Sequence, residues 1–596
     1  MDDLNIIEIS NPVDPIDLSV FKEHIEETLI SIISSFPKIE KNLIIDKSLV
    51  SNINFFTSAS KLEKENVKKE IKILSNDMIN LNTQIEIYII PPKKESLILI
   101  ENHIKNYSKN IEESKKQNKI ILPKEFHLIF IPKINNDCND YIMNSYYFEI
   151  YTFIHNLGID IYPLDYDLMS LEEDNIIKEI YIDKNFNVLQ TLCKSYLKFE
   201  TVFGKIKNKY YIGENAFKLN NLIKKEELNY SFENDSNFIC SIIFDRNIDF
   251  ITPLCTVNTY EGLLDEHFGI KFNQIKVEST FFVRKEKKDF IKIDLSNKNK
   301  FYTMIKDYNF IRLNLFLHRK IRYFKNLINE GKEIKELSKV SENLMKVKKM
   351  NEEKPYLEDN ITLSGIISEK LNNPIYKLYF KNEQNILSLN PPKILNEFYE
   401  NEIYKKNPPF NILKLFCLES LTQNGIKSKN YDNFKKDFFQ IYGFEHLILW
   451  NNLEKLKILK KYDKYSNFNF EKISNELNLI IENINLLEAD DASYPYNGYC
   501  PIIIRLIEKG IKNGFSKIKD MINMLSDINF FGLDDKVLLK NKEKKFILLI
   551  FIGGITYGEI ASIRYLNETL QFYKFVILTT NIINIKKIFD EISIQQ

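Results

Sequence analysis

Glycine and proline are scarce in this chain of 596 residues, at 16 and 17. Segments that stay unstructured are rich in both, so the scarcity excludes long low-complexity linkers. Lys+Arg and Asp+Glu both number 82, which leaves no net charge to neutralise phosphates and excludes an ordinary nucleic-acid binder. The clusters Lys285-Glu286-Lys287-Lys288 and Lys542 to Lys545 are short and mixed with Glu, as solvated loops are. A weak contact with a membrane surface is the alternative. The six cysteines, Cys138, Cys193, Cys240, Cys255, Cys417 and Cys500, lie far apart, and neither CxxC nor HExxH occurs. This predicts free thiols in a reducing compartment and no zinc or other metal site. Met1-Asp2-Asp3 is acidic and lacks the apolar region of a signal peptide. The longest apolar stretch, Phe546 to Ile555, is too short to cross a bilayer. Any membrane role is therefore expected to run through other proteins.

What is present is 44% hydrophobic and 28% charged, a globular balance, over a length that calls for three or four domains. In the first third, helical and strand patterns alternate. Phe21 to Phe36 places Ile25, Leu29, Ile32, Ile33 and Phe36 on one helical face. Apolar strands are predicted at Asn42–Ile45, Ile85–Ile90, Leu128–Ile131 and Ile159–Tyr162, with turn residues such as Asp46, Pro91-Pro92, Pro132 and Pro163 after them. Alternation of this kind predicts parallel sheets covered by helices. From Asn297 to about Ile480 the pattern is mainly helical, with two strong helices at Ile311–Ile328 and Glu333–Lys349. Strand signals return at Phe546–Phe551 and Phe575–Thr579. The economical architecture is α/β with a large, mainly helical insertion.

Several motifs admit two readings. Asp245 to Ile270 reads DRNIDFITPLCTVNTYEGLLDEHFGI and follows the apolar run Phe238 to Phe244. A buried strand thus leaves through a charged turn, Asp245, Arg246 and Asp249, then Thr252-Pro253-Leu254, into a helix with Tyr260 and Glu261. Asp245 and Asp249 could bind Mg²⁺ or act as acid and base, or they could cap turns and pair with Arg246. The run ending at Ile552 meets Gly553-Gly554 and a helix containing Glu559. That loop could hold a phosphate, but it lacks GxGxxG, GxxxxGK[ST] and any Lys; a tight turn is the other reading. Ile334, Leu337, Val340, Leu344 and Val347 form a stripe close to a coiled-coil seam, and the preceding helix offers Leu313, Leu317, Ile321, Phe324 and Ile328. The two stripes bury each other, or part of the seam awaits partner helices. Phe438, Phe439, Tyr442, Phe444 and Leu447 crowd one stretch and read as core or as a partner site. The seven histidines are scattered; His127 and His155 read as structural, and Trp450 as a packing anchor.

The Asp245–Ile270 block resembles the SM (Sec/Munc) family of vesicle-fusion proteins, and most resembles its vacuolar branch. Asn42 to Asp46, Tyr88 to Pro92, Phe126 to Lys133 and Pro163 to Glu172 are similar to the family's first two domains, with Pro91 where the family usually has Arg. Leu415 to Ser420, Tyr442 to Leu447, Asn452 to Lys455, Tyr496 to Pro501 with Arg505, Gly553-Gly554 through Leu566, and Thr579-Thr580 match the vacuolar branch in order and spacing. The family's proline near the hairpin tip is absent from Val347–Met350, and Phe444 stands where relatives often have Tyr.

The resemblance implies a three-domain, arch-shaped fold with Rossmann-like parallel sheets in the first two domains. Domain 1 would span residues 1–134, and domain 2 residues 135–248 with 481–596. Part 3a would span 249–370 and part 3b 371–480. It implies a non-enzymatic chaperone that binds Q- and R-SNARE proteins and templates their assembly at late endosomes, lysosomes or vacuoles, without catalytic residue or cofactor. SNAREs would meet part 3a at Leu317, Ile334, Leu337, Val340, Leu344 and Val347. The HOPS and CORVET tethering complexes would hold the protein through their vacuolar protein sorting-associated protein 16 subunit, at Lys435, Phe444 and Leu447. Asp245, Arg246, Asp249, Pro253, Tyr260, Glu261, Gly553, Gly554 and Glu559 would be structural. The rival is a nucleotide-dependent α/β enzyme using Gly553-Gly554 or Asp245 and Asp249.

Overall fold

The computed structural model describes residues 16–76, 83–116, 124–232, 235–282, 289–333, 337–390, 395–463, 468–525 and 545–593; within these, the side chains of 110–116, 330–333 and 337–344 are not described. The chain forms two compact units, Ile16–Tyr166 and the residues from Asp167 onward.

In the first unit, helix α1 (Ser19–Ser34) buries Phe21, Ile25, Leu29 and Ile33 on one face. Its strands are β1 (Lys41–Ile45), β2 (Lys72–Ile73), β3 (Ile85–Ile90), β4 (Glu125–Phe130) and β5 (Tyr151–Asn156), all parallel, in the order β2-β1-β3-β4-β5. A parallel sheet covered on both faces needs continuous apolar strands, and β1 and β3 are buried throughout. The one carboxylate inside β3, Glu86, is held by Asn42 Nδ2 at 2.9 Å and by Lys124 Nζ at 2.9 Å. Burying that charge is tolerable only because it is paired and hydrogen-bonded.

The first-domain limit expected at residue 134 falls too early, because β5 pairs with β4 and the unit runs to Tyr166. The strand expected at Ile159–Tyr162 lies at Tyr162–Asp165.

The second unit carries β6 (Leu168–Ser170), β7 (Asn208–Ile212), β8 (Phe238–Asp245), β9 (Lys545–Ile552) and β10 (Tyr573–Thr579). They lie side by side as β6-β10-β9-β8-β7, with every pairing parallel. β8 and β9 are direct neighbours although the whole helical excursion separates them in sequence, so the α/β unit is interrupted as expected. The parts expected at 249–370 and 371–480 do not stand as compact units of their own; both belong to this second unit. One strand pair breaks the helical run: Gln274–Glu278 against Phe290–Asp294, antiparallel, each buried at alternate positions.

The excursion contains α2 (Tyr260–Phe268), α3 (Phe310–Glu333), α4 (Leu337–Asn372), α5 (Ser428–Tyr442) and α6 (Leu447–Lys455). α4 was expected to end at Lys349; it continues through Pro355. A mid-helix proline removes one hydrogen bond and crowds the preceding turn. Burial of Met350, Leu357, Leu363 and Ile367 on both sides of Pro355 holds the helix together across it. Helix α7 (Tyr557–Thr569) follows β9.

Candidate functional site

The carboxyl ends of β8 and β9 bring the predicted charged turn and the glycine loop together. Asp245 ends β8; its carboxylate accepts the Tyr181 hydroxyl at 2.6 Å, the Asn215 N–H at 2.8 Å and the Asn247 N–H at 3.4 Å. Burial pushes this carboxyl up from its usual range, against the pull of those donors. Arg246, fully buried, reaches across to α7. Its Nη1 donates to both Glu559 oxygens, at 3.0 and 2.9 Å, and its Nη2 faces Asp249 Oδ2 at 3.5 Å. Burial works against the guanidinium charge, but Glu559 and Asp249 outweigh it and raise its pKa. Asp249 in turn caps the next turn, taking the Thr252 N–H at 3.0 Å and its hydroxyl at 2.6 Å, with Pro253 buried beside it.

Glu559 has a second task. With Thr556 it forms a capping box at the start of α7: Thr556 Oγ1 accepts the Glu559 N–H at 3.1 Å, and Glu559 Oε2 accepts the Thr556 N–H at 2.9 Å. The loop before it is equally occupied. Gly553 N–H donates to Thr580 Oγ1 at 3.1 Å, and Ile555 N–H to Asn581 O at 3.1 Å. Gly553 and Gly554 have φ of +84° and +95°. A Cβ on Gly553 would lie 2.6 Å from the Tyr181 hydroxyl and 2.7 Å from Arg246 Cβ, so the loop is glycine because two buried side chains press on it. A phosphate at this helix start would have to displace Glu559 from its own cap. The geometry is that of a staple between strands; Arg246 Nε and Nη2 make no hydrogen bond there, and both are buried beneath the loop with Nη2 facing Asp249.

Tyr260 and Glu261 begin α2 in a second buried network. Tyr260 donates to Asn360 Oδ1 on α4 at 2.7 Å, and Glu261 accepts the Tyr302 hydroxyl at 2.9 Å. Arg564 on α7 forks onto Asp167 at 3.0 and 3.1 Å and reaches Asp307 at 3.1 Å and Glu261 at 3.4 Å. Strand β6, helix α2 and the start of the hairpin are thereby tied to one guanidinium. Tyr181, Asp307 and the capping role of Thr556 were missed in the sequence. Only the last had a legible signal, the Thr-x-x-Glu spacing at Thr556–Glu559.

The expected SNARE-facing stripe is divided. α3 and α4 pack together, joined by Lys320 Nζ to Glu353 Oε2 at 2.9 Å. Leu317 is only 4% exposed, so its side chain belongs to packing and not to an open seam. Leu313 and Phe324 are buried with it, while Ile328 is exposed. Val347 is half-buried. Leu337, Val340 and Leu344 lie on α4 where side chains are not described, and Ile334 lies outside the described residues. The Lys285–Lys288 cluster and residues 542–544 also lie outside them.

The aromatic stretch divides more cleanly. Phe438 and Phe439 are buried against Trp450, ring centroids 5.8 and 5.5 Å away. Phe444 is 75% exposed and stacks on Phe439 at 5.5 Å; Leu447, at the start of α6, is 39% exposed. Lys435 bonds Glu454 at 2.9 Å and lies 5.3 Å over the Trp450 ring. Burial opposes the Glu454 charge, but Tyr431, Lys435 and the Trp450 N–H outweigh it and hold the carboxyl below its usual range. Phe410, also exposed, lies 6.0 Å from His446 and widens the apolar surface.

This pair of α/β units with its helical excursion is the fold of SM proteins. The chain is similar to SM protein Vps45 in complex with Qa SNARE Tlg2, with TM-score 0.62 and 17% identity over 96% of this chain and 97% of that one. It is likewise similar to the Unc18–syntaxin 1 complex from Monosiga brevicollis, with TM-score 0.63 and 14% identity over 96% and 99%. The chain belongs to the Sec1 family, which matches residues 41–591. Its relatives include Vacuolar protein sorting-associated protein 33A of Rattus norvegicus, 25% identical over 96% of both chains. The Vacuolar protein-sorting-associated protein 33 homolog of Arabidopsis thaliana is 26% identical over 96% of both, and Vacuolar protein sorting-associated protein 33B of Homo sapiens 24% identical over 97% of both.

Proposed function

We propose that this protein is a non-enzymatic chaperone that binds Q- and R-SNARE proteins and templates their assembly for membrane fusion. In this reading it serves late endosomes, lysosomes or vacuoles, recruited peripherally as a subunit of HOPS and CORVET. The observation that carries the reading is the Sec1-family match over residues 41–591, together with relatives named for vacuolar protein sorting along nearly their whole length. SNARE segments are unstructured before they zipper, and a surface that fixes their register lowers the ordering cost. The α3–α4 pair is the template surface, through Leu337, Val340 and Leu344 with Val347, and with Ile334 next to them in sequence. The tethering contact, to a subunit like vacuolar protein sorting-associated protein 16, lies at Lys435, Phe444 and Leu447.

The test is binding of the purified full chain to soluble Qa- and R-SNARE motifs, with SNARE assembly followed by fluorescence transfer. The expected result is specific capture and faster assembly. A protein that captures neither motif, or that binds ATP or NAD at micromolar concentration by calorimetry, would return the case to an α/β enzyme.

A further inference from the structure

Residues 310–329 contain five Lys or Arg and no Asp or Glu, in a chain whose net charge is zero. They fall on α3. Two of the five are committed: Lys320 is buried in its pair with Glu353, and Arg312 lies 4.1 Å over the Tyr308 ring. Arg319, Arg322 and Lys325 are exposed, and none makes an ion pair among the described residues. Ile311, Leu315, His318, Arg322 and Lys325 step by four, three, four and three, which puts them on one helical face, with Arg319 beside it. That face is opposite the buried stripe of Leu313, Leu317, Phe324 and Leu327. At its amino-terminal end Ile311 is 54% and Leu315 38% exposed. Lys348 and Lys349 on α4 are exposed as well, a few residues before the Glu353 that pairs with α3.

We propose that this face of α3 binds directly to an anionic bilayer surface, with Ile311 and Leu315 entering the interface and Arg319, Arg322 and Lys325 meeting the headgroups. Charge complementarity carries the choice of occupant. A basic helical face with adjacent apolar residues is what an anionic interface attracts, and it needs no shaped pocket. The neutral chain has no long-range attraction for a membrane, so such contact depends on this local strip within a Debye length of the surface. The inference goes beyond the SNARE reading and does not need it: it gives the template helix a contact of its own with the membrane, where the expectation was recruitment by other proteins alone.

The experiment floats the full chain with phosphatidylcholine vesicles, with and without phosphatidylserine. The expected result is flotation only with phosphatidylserine, lost in high salt. Arg319→Glu, Arg322→Glu and Lys325→Glu combined should weaken it by at least about tenfold while leaving the melting curve unchanged, since all three side chains are exposed. Gln in place of Glu gives a milder version of the same loss. Arg319→Lys with Arg322→Lys should retain flotation, because headgroups accept any cation whereas a fixed carboxylate partner favours the arginine fork. Equal flotation with both vesicle types, no flotation, or a triple variant that floats like the natural chain would overturn the proposal. So would a Lys pair that loses binding as the Glu variants do. SNARE capture measured on the same variants tells a protein-binding strip from a lipid-binding one: loss of capture with flotation untouched assigns the face to protein and rejects the bilayer.

Discussion

Arg246 and Glu559, 313 residues apart in sequence, meet in a buried pair in which one guanidinium nitrogen donates to both carboxylate oxygens at 3.0 and 2.9 Å. The pair ties the end of β8 to the first turn of α7, across the point where the helical excursion leaves the sheet and returns. Glu559 is also the reciprocal partner in the cap at Thr556. One carboxylate therefore holds both the helix start and the strand end, and Gly553 must lack a side chain to let Arg246 through.

Removing Arg246 leaves the buried Glu559 carboxylate without its ion partner, and removing Glu559 leaves Arg246 only the longer contact to Asp249. Arg246→Ala and Glu559→Ala should each destabilise by about 3–5 kcal/mol, read from denaturant unfolding. Glu559→Gln can still accept the Thr556 N–H, so it isolates the effect of the charge and should cost less than Ala. A double-mutant cycle that finds no coupling between the two positions would mean the ion pair does not join the elements.

The strands that could be read from sequence were those buried on both faces. β1, β3, β8 and β9 are mainly apolar and almost wholly buried because their sheets are covered on both sides. β5 was missed because it lies at the sheet edge, where Thr152, Phe153 and Ile154 are exposed and no apolar run is required. The Gln274–Glu278 and Phe290–Asp294 pair carried a legible signal, alternate burial, that was overlooked. At the site, Asp245, Arg246, Asp249 and Glu559 were found as residues, and the local pairing of Asp249 with Arg246 and its turn-capping were legible from their closeness in sequence, but the long-range partners were not. Periodicity says nothing about which turn a guanidinium reaches across 313 positions, nor about the Tyr181 hydroxyl on Asp245. The hairpin stripe was periodic throughout, and periodicity alone could not tell buried Leu317 from exposed Ile328.

That division yields a paired test. Leu317→Asp puts a charge into packing and should unfold or strongly destabilise the protein, by several kcal/mol. Leu337→Asp and Leu344→Asp are expected to weaken capture of SNARE motifs at least about tenfold with the melting curve preserved. Circular dichroism and pull-down on the same preparations separate the two effects. Normal capture by both folded α4 variants would remove this stripe from the SNARE surface.

The α5–α6 region gives a second pairing. Phe444→Asp and Leu447→Lys change exposed side chains and should abolish co-purification with the tethering subunit while the monomer stays folded and binds SNAREs. Phe439→Ala, by contrast, opens a hole beside Trp450 and should cost about 3–5 kcal/mol in unfolding experiments. If both surface variants still co-purify, the docking face lies elsewhere.

Glu591 supplies a pH test. It is buried, its Oε2 accepts the Ile177 N–H at 3.1 Å, and burial pushes its carboxyl from 4.5 up to about 7. The folded protein therefore holds this proton more tightly than the unfolded chain does. The group's contribution to stability is fully present below pH 4.5 and is lost as pH rises through about 7. The loss amounts to about 3 kcal/mol at most. Glu591→Gln keeps an acceptor for Ile177 and cannot ionise. The variant should match the natural protein in acid and exceed it above neutrality, with the difference opening across that window. Unfolding free energies measured for both proteins through the range check this directly, and a difference that stays flat with pH would show that the carboxyl titrates alike in the folded and unfolded chains.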